Sequence, residues 1–200
     1  YNRCLKIYQA TLTENHPLLA ISYSNIAKLY CEMKQYKKSL EYFEKCSDIR
    51  RKIMIENDPY NAYTYTHAAD LHRRMQNYEE AIECSHKALK ILESIDCDPL
   101  RRATAYLNLA EIYRELKQFE TALKFFNKAS EIRETKLPEK HPDLAVLYHK
   151  LAKYYYDIAD YSTARKYAEE AVRIAKNKLP HTHPHQADYI RTLEQIRKNL

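Results

Sequence analysis

Apolar side chains recur along this chain at offsets of three, four and seven, and the whole pattern returns as a block. In the first block Ala20 is followed by Tyr23, then Ile26 and Ala27, then Tyr30. The stripe comes back as Ala62, Tyr65, Ala68, Ala69 and His72, as Ala103, Tyr106, Leu109, Ala110 and Tyr113, and as Ala145, Tyr148, Leu151, Ala152 and Tyr155. Residues at these offsets share one face of an α-helix. A short polar break follows each stripe (Lys34-Gln35, Gln76-Asn77, Lys117-Gln118, Ala159-Asp160), and a second helical pattern then opens on Tyr36, Tyr78, Phe119 or Tyr161. It carries Leu40, Phe43 and Cys46 in the first block and Ala164, Ala168 and Ala171 in the last. Each block therefore predicts a hairpin of two helices.

Punctuation supports the same division. His16-Pro17, Asp58-Pro59, Asp98-Pro99, His141-Pro142 and His183-Pro184 follow one another at 42, 40, 43 and 42 residues. Pro is tolerated in the first turn of a helix, where its missing N–H has no intrahelical partner, and Asp or His before it suits the cap. Leading helices are predicted near 17–32, 60–75, 99–115, 142–157 and 184–199, and following helices near 36–55, 79–95, 119–137 and 161–179. Residues 1–13 read as the second helix of a repeat, because Cys4 aligns with Cys46. The chain is thus one array over 1–200: a half repeat at 1–15, full repeats at 16–57, 58–97, 98–140 and 141–182, and a half repeat at 183–200. One hairpin cannot bury its apolar face alone, so stability must come from stacking, and both ends are expected to be adhesive or frayed. The opening Tyr1-Asn2-Arg3 falls mid-pattern, as in a piece of a longer protein.

Composition narrows the chemistry. The chain has no Gly, so it lacks the glycine loops that cradle phosphates or dinucleotides and the glycine elbow of many hydrolases. Hairpin-rich sheets also lean on Gly turns, which leaves helices joined by turns that manage without it. No run approaches the length of a membrane helix, and no signal pattern opens the chain. The five cysteines (4, 31, 46, 84, 97) are odd in number and form no CxxC pair. A reducing, cytoplasmic setting follows, with Cys4 and Cys46 as small buried side chains. The excess of 33 basic over 27 acidic residues lies wholly in 101–200, since 1–100 holds 14 of each. No nucleic-acid motif accompanies it, and none is expected to bind.

These repeats resemble tetratricopeptide repeats, specifically the longer form of about 42 residues seen in kinesin light chains. The matching text is His141-Pro142-Asp143-Leu144-Ala145, Leu107-Asn108-Leu109-Ala110-Glu111-Ile112-Tyr113, and Phe119-Glu120-Thr121-Ala122-Leu123-Lys124-Phe125-Phe126-Asn127-Lys128-Ala129. The resemblance implies an all-α fold, an α–α superhelix (solenoid) of stacked antiparallel hairpins whose leading helices line the concave side. Where the family often has Gly at the closest helix approach, this chain has Ala27, Ala69, Ala110 and Ala152. The resemblance also implies a non-enzymatic scaffold that binds a peptide segment of a partner protein in its concave groove. A regulatory array fused to an enzyme or signalling domain, touching other domains of its own parent chain, is the alternative.

Spacing gives the groove candidates. They are Ser24, Lys28 and Cys31; Thr66, Asp70 and Arg73; Leu107, Glu111 and Arg114; His149, Lys153 and Tyr156; and Arg191 and Gln195, with Asn25, His67, Asn108 and Lys150 beside them. In similar kinesin light chain repeats the last column is often Asn and bonds the main chain of an extended peptide, which Asn25 and Asn108 match. Arg73 and Arg114 offer forked donors for a carboxylate. The bland reading of these charges is solvated pairing along one helix. On the leading reading, changing Asn108 or Arg114 weakens binding and leaves the thermal midpoint in place. The run His181-Thr182-His183-Pro184-His185 has metal-like spacing, but His183-Pro184 is the repeat's own punctuation, and neither metal nor cofactor is expected. No nucleophile, base and orienter set stands out from the repeat pattern, so no catalytic residue is assigned.

Overall fold

The computed structural model describes residues 2–53, 58–95, 98–178, 180 and 183–199. Among them the secondary structure is ten α-helices and no strand: α1 (Asn2–Thr11), α2 (Pro17–Glu32), α3 (Tyr36–Ile53), α4 (Pro59–Arg74), α5 (Tyr78–Ser94), α6 (Pro99–Glu115), α7 (Phe119–Lys136), α8 (Pro142–Asp157), α9 (Tyr161–Lys178) and α10 (Pro184–Arg197). The order matches the predicted alternation of leading and following helices. The predicted end of α3 at 54 and 55 lies outside the described residues.

Every leading helix begins the same way. The side chain before Pro accepts from the amide two residues on, with His16, Asp58, His141 and His183 in extended backbone: Leu18 N–H to His16 Nδ1 at 3.2 Å, Tyr60 to Asp58 at 2.9 Å, Leu100 to Asp98 at 3.0 Å, Asp143 to His141 at 3.2 Å and His185 to His183 at 3.3 Å. One orphan amide of each first turn is thereby satisfied.

The turns inside the hairpins manage without glycine in an unexpected way. They do not avoid the left-handed region; Lys34, Gln76, Lys117 and Ala159 occupy it at φ of 58°, 63°, 59° and 61°. Each sits in a paired cap, with Gln35 N–H bonding Tyr30 O at 2.9 Å while Lys34 N–H bonds Cys31 O at 3.0 Å, and the same pattern after α4, α6 and α8. That cap normally carries Gly because a Cβ there costs about 1 kcal/mol or more. Ala159→Gly is therefore expected to raise unfolding stability by about 1 kcal/mol. Urea unfolding should show a higher midpoint with unchanged slope.

The chain divides into two units, Tyr1–Asn108 and Leu109–Leu200, with the boundary inside α6. In the first, α2 pairs with α3 and α4 with α5, while α1 packs on α2 and α3 on α4. Small residues allow the close approach: Ala20, Ala27, Cys46, Ala62, Ala69, Ala81 and Ala88 have no exposed surface. Leu71 is seated on Ala27, Cys31 and Phe43 of the preceding hairpin, so the first full repeat lends its core to the second. In the second unit α8 pairs with α9, α7 packs on α8, and α10 lies against both α8 and α9.

The tyrosines are mostly structural. Tyr23 and Tyr30 of α2 close on Tyr42 of α3 at 6.0 and 5.4 Å, and Tyr148 and Tyr155 of α8 close on Tyr167 of α9 at 5.8 and 5.5 Å. Tyr113 stacks on Phe125 in the same way at 5.6 Å. Two leading-helix columns thus grip a fourth aromatic column, Tyr42, Phe125 and Tyr167, on the following helices.

The flanks of the first and last leading helices differ. Leu29 is 45% exposed, whereas its counterparts Leu71 and Ile112 are fully buried. On α10 the always-buried Ala column becomes exposed Glu194, and the Tyr column becomes exposed Arg197, which pairs with Glu169 at 3.2 Å.

Candidate functional site

The candidates lie on leading helices, held by the caps and hairpins just described. In the first unit Ser24, Cys31, Thr66 and Leu107 are buried. The reason is packing: neighbouring leading helices lie side by side, and the stripe next to the core is consumed by that contact. Lys28 is exposed and Asn25 half-buried. His67 is half-buried with its ring edge-on to Tyr63 at 4.2 Å. Burial first, then the Lys28 ammonium, lowers its pKa to about 4 against the pull of Asp70, so the ring is neutral at pH 7. Asp70 accepts from Arg73 and from Arg74, both at 2.7 Å, and Arg74 also reaches Glu32 of α2 at 3.4 Å. Asn108 Nδ2 donates to Thr66 O at 2.9 Å, bonding α6 to the main chain of α4.

In the second unit the candidates form a denser network. The buried Glu111 carboxylate accepts from Arg114 at 3.2 Å and from Lys150 of α8 at 3.1 Å. Arg114 also pairs with Asp157 of α8 and lies 3.6 Å from Glu115. His149, 7% exposed in its side chain, meets Thr192 of α10 through Nε2 at 2.9 Å. The Thr192 hydroxyl donates to Asp188 O at 3.1 Å, so the proton in the contact with His149 belongs to the ring. Burial first, then Lys153, lowers the His149 pKa to about 3, and the Asp188 carboxylate 3.7 Å away opposes them. Lys153 lies 3.9 Å from the same carboxylate. Tyr156 is half-buried, its hydroxyl accepting from Gln195 at 3.2 Å and Asn199 at 3.4 Å. Arg191 is exposed, 3.8 Å from Asp188. The adjacent Tyr154 turns inward and donates to Phe119 O at 3.2 Å.

Many of the candidates are therefore joined from one leading helix to the next. Glu32 meets Arg74, Thr66 meets Asn108, Glu111 meets Lys150, Arg114 meets Asp157, and His149 meets Thr192. Sequence reasoning treated these charges helix by helix and missed Asp188 and Thr192. The available signal was complementarity one repeat apart, acid against base at about the repeat spacing. Two candidates stand outside the network: among the described residues Asn25 and Lys28 make no side-chain hydrogen bond or ion pair. Of the cysteines, Cys31, Cys46 and Cys84 are free thiols, and burial pushes Cys31 up to about 11. Cys97, His181 and Thr182 lie outside the described residues, and His183 serves as the α10 cap. No described helix is long and apolar enough to cross a membrane.

Successive antiparallel helical hairpins with one repeated pattern define a repeat protein of a fold typical of protein-interaction scaffolds. The chain belongs to the tetratricopeptide repeat family, whose profile matches residues 1–52, 60–135 and 101–177. Solved structures of similar fold include the kinesin light chain nearly identical TPR-like repeats of Podosopora anserina, at 20% identity over 92% of this chain and 88% of that one, TM-score 0.70. BtubC (BKLC) from P. vanneervenii is similar at 23% identity, 92% and 73% coverage and TM-score 0.74. A Rap protein complexed with Competence and Sporulation Factor reaches TM-score 0.81 at 17% identity, over 98% of this chain and 52% of that chain. No curated protein matches by sequence.

Proposed function

We propose that the chain is a non-enzymatic protein-interaction scaffold that holds an extended segment of a partner protein on its leading helices. The observation that carries this reading is the pair Asn25 and Lys28, polar groups on α2 that no described neighbour satisfies. An Asn amide offers one donor and one acceptor group to an extended main chain, and a Lys adds a cation one turn away. The remaining candidates, His67, Asp70, Arg73, Asn108, Glu111, Arg114, His149, Lys153 and Tyr156, stand on the later leading helices and carry charges of both signs. The repeat register running through 16–57, 58–97, 98–140 and 141–182 supports reading 1–200 as one array. The free thiols Cys31, Cys46 and Cys84 support a cytoplasmic setting.

The test is a pull-down from cell lysate with wild type beside an Asn25→Ala, Lys28→Glu variant, with bound proteins identified by mass spectrometry. The expected result is a partner recovered by wild type and lost by the variant, at an unchanged thermal midpoint. Equal recovery would remove α2 from the binding face. Asn108→Ala and Arg114→Glu are poorer probes, because both side chains also join neighbouring repeats and their loss lowers the midpoint. The regulatory alternative draws on a Pyrococcus horikoshii signal-transduction ATPase with a tetratricopeptide repeat sensor, similar to this chain at 23% identity and TM-score 0.70 over 98% of this chain and 31% of that one.

A further inference from the structure

Gln9, Arg51, Glu93 and Glu134 occupy one column of the following helices, at spacings of 42, 42 and 41 residues. Three of them do the same work. Gln9 on α1 donates to the Tyr23 hydroxyl at 3.1 Å, the Tyr106 hydroxyl donates to Glu93 of α5 at 3.2 Å, and the Tyr148 hydroxyl bonds Glu134 of α7. A leading-helix tyrosine is thereby tied to the helix before it. Tyr65 of α4 is the exception among the four. The residue in that column is Arg51, which cannot accept a hydrogen bond, and the Tyr65 hydroxyl has no hydrogen-bond partner among the described residues. Neighbouring positions depart as well: Arg50 stands where α5 has Leu92, and Ser47 where α5 has Leu89.

These exchanges meet at a cavity of about 460 Å³ inside the first unit, whose wall includes Ser47, Arg50 and Arg51 of α3, Asn61 and Tyr65 of α4, and Lys87 of α5. At 3.6 residues per turn, Asn61 and Tyr65 lie about 180° and about 140° around α4 from Asp70, so the cavity is on another side of that helix from the candidate binding residues. Three cations share the wall. Arg50 is committed to Asp58, and both of those side chains are largely buried. Arg51 and Lys87 are held less firmly. Arg51 is 75% exposed and pairs with Asp48 three residues back, and Lys87 is 50% exposed and meets Glu83 at 2.6 Å one turn back. Asp48 and Glu83 stand outside the wall and are mostly exposed themselves. Such pairs along one helix are weak, so an anion inside the cavity competes with them. The Lys87 ammonium lies 5.8 Å from the Tyr65 ring centre, and the exposed Ser47 hydroxyl makes no side-chain hydrogen bond among the described residues.

We propose that this cavity binds a phosphate monoester. Near pH 7 that group carries a charge of about −1.5 to −2 and three strong acceptor oxygens. Arg51 and Lys87 bring two exchangeable positive charges, and the guanidinium fork, the ammonium and the Ser47 and Tyr65 hydroxyls bring donors enough for three oxygens. A carboxylate, with one charge and two oxygens, would leave part of this set unused. The volume lies in the range of small-ligand sites and leaves space beyond the phosphate for the group that carries it. A free phosphorylated metabolite and a phosphorylated side chain share this chemistry.

The test is an NMR titration of the whole chain at constant ionic strength with inorganic phosphate, glycerol 3-phosphate, N-acetyl-phosphoserine methylamide and N-acetyl-glutamate methylamide. The phosphates are expected to shift the Ser47, Arg51, Tyr65 and Lys87 amides in a saturable manner, with the glutamate probe about tenfold weaker. Tighter binding of glycerol 3-phosphate would identify a free metabolite as the source, and tighter binding of the phosphoserine probe a phosphorylated protein. Arg51→Glu restores the residue type of Glu93 and Glu134, so the variant should keep a cooperative thermal transition while losing the titration. Lys87→Gln should weaken phosphate binding about fivefold, and it decides the matter if Arg51→Glu does not fold. The Asn25→Ala, Lys28→Glu variant should titrate as wild type does, because the cavity stands apart from that pair. Unsaturable shifts spread over the other basic residues, glutamate binding as tight as phosphate, or indifference to Arg51→Glu or Lys87→Gln would each overturn the proposal.

Discussion

Lowering the pH from 7 to 5 is expected to cost the protein about 4 kcal/mol of folding stability through His67 and His149, about 2 kcal/mol from each. In the unfolded chain both rings take up a proton near the ordinary histidine pKa of about 6.5. In the folded chain burial, helped by Lys28 at His67 and by Lys153 at His149, holds the two values down to about 4 and about 3. Between those limits the unfolded state binds more protons than the native one, so stability is full above about pH 6.5 and falls as the pH drops towards the folded values. His149 keeps its neutral ring furthest down the pH scale, packed between its own helix and Thr192, Asp188 and Tyr189 of α10. Urea unfolding at pH 7, 6 and 5 provides the measurement. A His67→Gln, His149→Gln variant should lose most of the pH dependence in that window. A variant as pH-sensitive as wild type would show that the two rings titrate normally in the folded protein.

Arg114→Met is expected to destabilise the second unit by about 3 kcal/mol. The guanidinium joins Glu111 on its own helix to Asp157 on α8, and the Glu111 side chain is only 6% exposed. Removing Arg114 takes a guanidinium partner from a buried carboxylate, and an incompletely compensated buried charge costs far more than a broken surface pair. An Arg114→Met, Glu111→Met double variant should recover much of the loss, because replacing a buried ion pair with apolar groups of similar size is often nearly neutral. Chemical denaturation of the two single variants and the double variant closes the cycle. A loss below about 1 kcal/mol for Arg114→Met would place the network among ordinary solvated pairs.

The aromatic grip and the charge network show where sequence reading stopped. Tyr23, Tyr30, Tyr148 and Tyr155 declared themselves through the helical period, because a core-facing stripe must repeat at three and four. Their partners Tyr42 and Tyr167 were harder to see, since the same column holds Cys84 in the second full repeat and the aromatic there is interrupted. Asp70, Glu111 and Arg114 were legible as charged groups on a leading helix. Their partners one repeat away were not, because periodicity along one helix carries no information about which residues of the next helix lie beside it.

Local constraints account for what the sequence determined alone: ten helices, their alternation, their capped starts and the hairpin unit. A 3.6-residue period, a Pro with Asp or His before it, and a polar break act within a few residues and need no long-range contact. Tertiary structure decided the rest. It buried Ser24 and left Lys28 in the open, put Lys and Ala where glycine would be easier, and joined Glu111 to Lys150 and His149 to Thr192. Those outcomes depend on how closely two helices approach and which side chain meets which, a balance of packing and desolvation that exists only once the repeats are assembled.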